Sequence, residues 1–218
     1  MEYGTGFDLV WKILLWAPPI VLAITLHEVG HGWAAKQLGD STAAGLGRLT
    51  ANPLKHIDPL GTLVLPALLI LFKAGFVFGW AKPVPVNWQN LRHGRRDMAL
   101  VALAGPGANV VQMLLWVLVV WVAYATAGPL LRGPLISMAQ VGIIANIALA
   151  AFNMIPLPPL DGSRLLTAVL PSKLAFQYNR LEPFGLVILL VLLMLGWMDE
   201  VVGPLLRVGE QFARALLP

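Results

Sequence analysis

Cysteine is absent from all 218 residues. Disulfides and thiolate metal sites are therefore excluded, and any metal the chain binds must be held by histidine and carboxylate. Charge is also scarce: 12% of residues are charged and 58% are hydrophobic, where soluble domains carry about 25% charged residues. That balance excludes an ordinary soluble fold and describes a polytopic membrane protein. The formal net charge of +4 does not point to nucleic acid, because Lys and Arg are scattered in short loops between apolar runs and form no basic face. Anionic lipid head groups are the counterpart such loops meet.

Histidine is scarcer still, with four in the chain. Two of them fall in His27-Glu28-Val29-Gly30-His31, an HExxH pattern. On a helix, histidines at i and i+4 share one face, where both imidazoles reach a single zinc ion with a carboxylate beside them. A purely structural histidine pair is the alternative. The pattern closes an apolar run from Trp11 to Leu26 that is oily enough to enter a bilayer, where three ionisable side chains are costly unless they bind something or perform chemistry. Trp11 to Lys36 reads as the first membrane helix, kinked or split at Pro18 and Pro19. Its leader carries Glu2 and Asp8 against one Lys12 and has no small-x-small cleavage site, so the run is expected to be retained and not removed as a signal peptide.

Further along, 39–59 is polar and rich in turn residues. Leu63 to Trp80 is apolar but broken by Pro66, Lys73 and Gly75, and is either a second span or a piece that dips in and returns. Pro83 and Pro85 then exclude helix and favour an extended edge. Met98 to Tyr124 is a clear span opened by Ala104-Gly105-Pro106-Gly107-Ala108-Asn109, whose small residues let another helix approach closely. Leu135 to Ile155 is the next span. It runs into Asn153-Met-Ile-Pro156-Leu-Pro158-Pro159-Leu160-Asp161-Gly162, where the prolines break the helix and present Asp161 from irregular backbone, tolerated at membrane depth only inside protein or facing water. Phe184 to Trp197 is short for a span, and Val201 to Leu217 suits a helix lying on the membrane surface.

The stretch Gly47-Arg-Leu-Thr-Ala-Asn52-Pro53-Leu-Lys-His56-Ile-Asp58-Pro59-Leu-Gly61-Thr62 after the HExxH, the AGPxxN at 104–109 and the NxxPxPxLDG at 153–162 together resemble the compact bacterial members of the site-2 protease family of intramembrane zinc proteases. The resemblance covers most of Pro19 to Leu170. It implies one Zn2+ held by His27, His31 and Asp161 with one position open, and Glu28 as the base that takes a proton from the attacking water. It also implies a substrate that is a transmembrane helix of another protein, cleaved within or beside the bilayer. Asn153 and Asn109 are candidates for contact with substrate carbonyls or a developing oxyanion, with an interhelical hydrogen bond as the alternative for Asn109. His56 is either an interfacial polar residue or a participant in the chemistry, and the 63–87 region is a candidate strand for pairing with unwound substrate.

The fold expected is an all-α polytopic membrane protein with four to six membrane segments, one of them re-entrant or short. A small extended or β element is expected after the first helix, and the whole of 1–218 is expected to form one membrane-embedded protease domain. If His27, His31 and Asp161 share an ion, 63–80 is expected either to turn back or to run as an oblique helix that stops short of the far surface, so that the helix ends meet on one side. The loops at 36–55, 82–96 and 164–180 then face one compartment with ten Lys or Arg, against Arg132 alone in 128–134. The positive-inside rule makes that the cytoplasmic face of a bacterial cell membrane. No peptide-binding domain is expected within a loop, and no nucleotide-sensing domain is expected in the 57 residues after Asp161. The rival reading is a membrane metal-binding or ion-transport protein, against which stands the lack of an internal repeat and of a second set of intramembrane acids. A non-catalytic relative would be expected to have lost Glu28 or a ligand.

Overall fold

Among the described residues, 6–72 and 79–218 of the computed structural model, every regular element is helical and no strand occurs. The order is α1 (Gly6–Gln37), α2 (Thr42–Gly45), α3 (Leu65–Leu71), α4 (Gly94–Thr126), α5 (Pro129–Asn153), α6 (Asp161–Val169), α7 (Ser172–Asn179), α8 (Glu182–Met194) and α9 (Met198–Leu216). α1, α4 and α5 are long and apolar enough to cross a membrane; α7 and α8, bent by 63° at their junction, make a fourth if taken together. The count thus meets the low end of the expected four to six. α1 carries Pro18 and Pro19 as one helix and not as two pieces.

Small residues set the packing of this bundle. A side chain at Gly30 of α1 would run into the Ala104 carbonyl and Ala108 of α4, and one at Gly142 of α5 would overlap the Trp116 indole. Close approach lets Met113, Val117 and Val120 of α4 bury against Ala139, Ile143 and Ile147 of α5, since helices in lipid associate by packing and not by escape from water. α1 ends, α4 begins and α5 ends at the same side of the bundle.

The apolar piece 59–71 does not cross. Thirteen residues reach about 20 Å, against a hydrocarbon core of about 30 Å. Its end returns to its start: the Trp80 N–H donates to the Gly61 carbonyl at 3.1 Å, the Lys82 N–H to the His56 carbonyl at 2.9 Å, and the Thr62 hydroxyl to the Trp80 carbonyl at 2.8 Å. Residues 73–78, on which part of the expected 63–80 segment falls, lie outside the described residues. The β element expected here is not a strand. Residues 79–87 form no ladder, because Pro83 and Pro85 have no N–H to give and the amides of Lys82 and Val84 are spent on a loop carbonyl and a side chain.

The segment 201–217 also departs from expectation. α9 lies along α5 and not on the membrane surface: Gly209 abuts Ile147, and the Trp121 indole donates to the Leu216 carbonyl at 2.8 Å. Val202, Gly209 and Ala213 recur at helical spacing among its charged residues and form the face that packs.

Asp40 closes the loop after α1. It is fully buried, and burial alone would raise its carboxyl. Hydrogen bonds from the Thr42 hydroxyl, the Asn90 amide and the Asn87 and Thr42 backbone outweigh that and hold it below its ordinary value of 3.8. A depressed carboxylate contributes stability that is whole above the unfolded value and is lost as pH falls through the folded one. The thermal midpoint of the protein in lipid is expected to drop below pH 3.8, and less steeply in Asp40→Asn.

Candidate metal centre

α1 and the first residue of α6 bring three side chains to one point. Nε2 of His27 and Nε2 of His31 lie 3.1 Å apart, and Oδ2 of Asp161 lies 3.3 Å from the first and 3.2 Å from the second. One tetrahedral zinc ion with bonds of about 2 Å places its ligand atoms about 3.3 Å apart. The three atoms therefore have the spacing of one face of such a tetrahedron, leaving the fourth corner open. Both histidines are buried, and Asp161 Oδ2 is buried without a hydrogen-bond donor, the state of an oxygen whose partner is a cation.

The outer nitrogens fix the rings. His27 Nδ1 sits 2.7 Å from Asn109 Oδ1 and His31 Nδ1 sits 2.8 Å from the Val101 carbonyl. With both acceptors on the Nδ1 side, each imidazole carries its proton there and turns a lone pair inward, as metal-ligating histidines do. Two such lone pairs 3.1 Å apart repel unless a cation, a proton or a metal ion, lies between them. Asn109 is itself held: its amide donates to the Ala23 carbonyl at 3.1 Å and to Asn146 Oδ1 at 2.9 Å, and Asn146 donates to the Gly142 carbonyl at 2.8 Å. One polar chain thus links α1, α4 and α5 at the depth of the site.

Glu28, next to the first histidine, is half-buried and accepts the Val84 backbone N–H at Oε2, 2.7 Å away. The 82–84 backbone is pinned from the other side by Arg48, whose Nη2 donates to the Lys82 carbonyl at 2.9 Å and the Pro83 carbonyl at 3.3 Å.

The family model for peptidase family M50 matches residues 119–196, a stretch that includes Asp161. "Putative zinc metalloprotease YwhC" of Bacillus subtilis is 33% identical over 194 residues, covering 88% of this chain and 85% of that protein. The chain belongs to peptidase family M50, the site-2 protease family. "Putative zinc metalloprotease Rip2" of Mycolicibacterium smegmatis is 32% identical over 173 residues, 79% of this chain and 64% of that one. Its namesake in Mycobacterium tuberculosis strain H37Rv is 32% identical over 190 residues, 84% of this chain and 69% of that protein. No solved structure matches. M50 membership answers the choice left open by the residues in favour of an intramembrane zinc protease over an ion carrier.

The other residues singled out from sequence lie apart from the ion triangle. Asn109 is fully buried with its amide engaged on every side, its Oδ1 on His27 and its Nδ2 on the Ala23 carbonyl and Asn146, the interhelical bonding that was the alternative for it. Asn153 donates back to the Leu149 carbonyl within its own helix at 3.0 Å. His56 is buried with Nε2 3.0 Å from the Thr50 carbonyl, and reaches the site only through its own carbonyl, which anchors Lys82. Sequence reasoning missed Arg48, the Val84 amide and the Val101 carbonyl. Arg48 stood inside the signature stretch and carried a signal; a backbone amide or carbonyl has none.

Proposed function

We propose that the chain hydrolyses peptide bonds within or beside transmembrane helices of other membrane proteins, with His27, His31 and Asp161 holding one Zn2+ and Glu28 as general base. The near-equilateral set of inward-facing atoms, one of them an orphaned carboxylate oxygen, carries this reading. Zinc bound there supplies Lewis acidity toward a carbonyl oxygen and makes a coordinated water a stronger acid, with a pKa near about 7. The Glu28 carboxylate takes the proton of the attacking water and delivers it to the leaving amine. Asn109 and the Val101 carbonyl keep both imidazoles aimed while this happens. Asn153, at the end of α5, is the candidate contact for a substrate carbonyl once it releases Leu149. The site sits toward the cytoplasmic face of a bacterial cell membrane, as the distribution of Lys and Arg among the loops supports.

Purified protein in proteoliposomes with a transmembrane peptide tests the reading. Cleavage that stops on zinc chelation and returns with added zinc is the expected result. Zinc crossing the bilayer with the peptide left intact would replace the protease reading with the carrier one.

A further inference from the structure

Arg48 is a cation buried within the protein. Among the described residues it pairs with no carboxylate, and its Nε is buried without a partner. Taking a guanidinium out of water is costly unless other groups answer its charge. Here backbone answers it: Nη2 donates to the Lys82 carbonyl at 2.9 Å and to the Pro83 carbonyl at 3.3 Å. The role of such a cation lies in what those two carbonyls are attached to.

The Pro83 carbonyl and the Val84 N–H belong to one peptide unit. A peptide bond before a non-proline residue is trans and planar, so its C=O and N–H point opposite ways. Arg48 holds the oxygen of this unit while the hydrogen goes to Glu28 Oε2, 2.7 Å from the nitrogen. Turning the plane would break both contacts together. The chain around it has few other ways to be held: Pro83 and Pro85 have no N–H, and the Lys82 N–H already goes to the His56 carbonyl at 2.9 Å. The Val84 side chain is buried against Gly32 of α1, where a Cβ would overlap its Cγ1, one helical turn from Glu28 on the same face. That contact docks the residue on α1 and leaves the tilt of its peptide to Arg48. A cation on the carbonyl oxygen also draws electron density from the amide and strengthens the N–H as a donor.

We propose that Arg48 is a positioning residue for Glu28: it sets the Pro83–Val84 peptide, whose amide takes Oε2 and leaves Oε1 for the attacking water. This rests on Glu28 as the general base, and Arg48 touches none of the three metal-facing atoms.

Arg48→Met keeps an unbranched stem and removes the donors. Loaded with zinc in proteoliposomes, it is expected to lower kcat for a transmembrane peptide by about 10- to 100-fold, the cost of a misplaced reacting group, with KM little changed. Arg48→Lys, which can still donate to one carbonyl, is expected to recover part of that loss. In a Glu28→Gln background, adding Arg48→Met is expected to slow the residual cleavage no further, whereas a loop that served only the fold would slow both backgrounds alike. Hydrogen exchange reads the link without activity: within 82–85 only Lys82 and Val84 carry an amide, and their exchange is expected to quicken at least about tenfold in Arg48→Met. Zinc bound at the wild-type stoichiometry reports that each variant is folded. Equal slowing in both backgrounds, unchanged exchange at 82–85, or loss of zinc from Arg48→Lys as well as Arg48→Met would each overturn the proposal and leave Glu28 as the base. Full-rate cleavage by Glu28→Gln alone would overturn both.

Discussion

Glu28→Gln is expected to keep its zinc and lose peptide cleavage by about 10²- to 10⁴-fold, the usual contribution of a positioned general base. The amide is nearly isosteric with the carboxylate, and its oxygen can still accept the Val84 N–H that Glu28 holds at 2.7 Å, so the loop stays in place. It cannot take a proton from water. Glu28 is not one of the three atoms of the ion triangle, which come from His27, His31 and Asp161, so bound zinc measured by atomic absorption should match wild type. Membrane fragments that accumulate with wild type should disappear with the variant, and mass spectrometry of those fragments would also identify the substrates. Normal cleavage by Glu28→Gln would remove Glu28 from the mechanism.

Gly105→Ala is expected to weaken zinc binding by about 10- to 100-fold, the range seen when the surroundings of metal ligands are disturbed, and to lower proteolysis with it. A Cβ at Gly105 would land on the ring edges of both histidines, overlapping His31 Nε2 and Cε1 and crowding His27 Cε1. These rings are tied at Nδ1, His27 to the Asn109 side chain and His31 to the Val101 carbonyl, and they cannot swing aside without giving up those bonds. Gly107, two residues along the same helix, is the control: a Cβ there meets nothing. Replacing a helical glycine by alanine is worth up to about 1 kcal/mol of stability where space permits. Gly107→Ala should therefore keep full zinc content and melt no lower than wild type. Equal zinc affinity in the two variants would show that Gly105 does not set the ring positions.

Much of the centre was legible because its chemistry is carried by rare side chains. With four histidines and no cysteine, HExxH on an apolar helix and an aspartate after three helix-breaking prolines left few ways to build a metal site. The fold brings those residues within a few ångströms. The small residues at 104–108 also announced a close helix approach, although not that Gly105 would lie against the imidazoles. Less legible was whatever depends on backbone or on partners distant in sequence. Val84 meets Glu28 across 56 positions through a group every residue but proline has. The prolines on either side signalled extended chain and suggested an edge strand, yet the same prolines remove the amides that a ladder would need. In α9 the charged positions dominated the pattern and pointed to a surface helix, while the small residues that dock it on α5 were too few to be seen as a face.

An amide has one proton to offer. The Val84 N–H donates to Glu28, and a peptide carbonyl placed beside Val84 would compete for the same hydrogen. A chain still coiled as a helix has its carbonyls occupied internally and has nothing to trade. An unwound chain has free carbonyls with which to take up that amide, and Glu28 keeps its second oxygen available throughout.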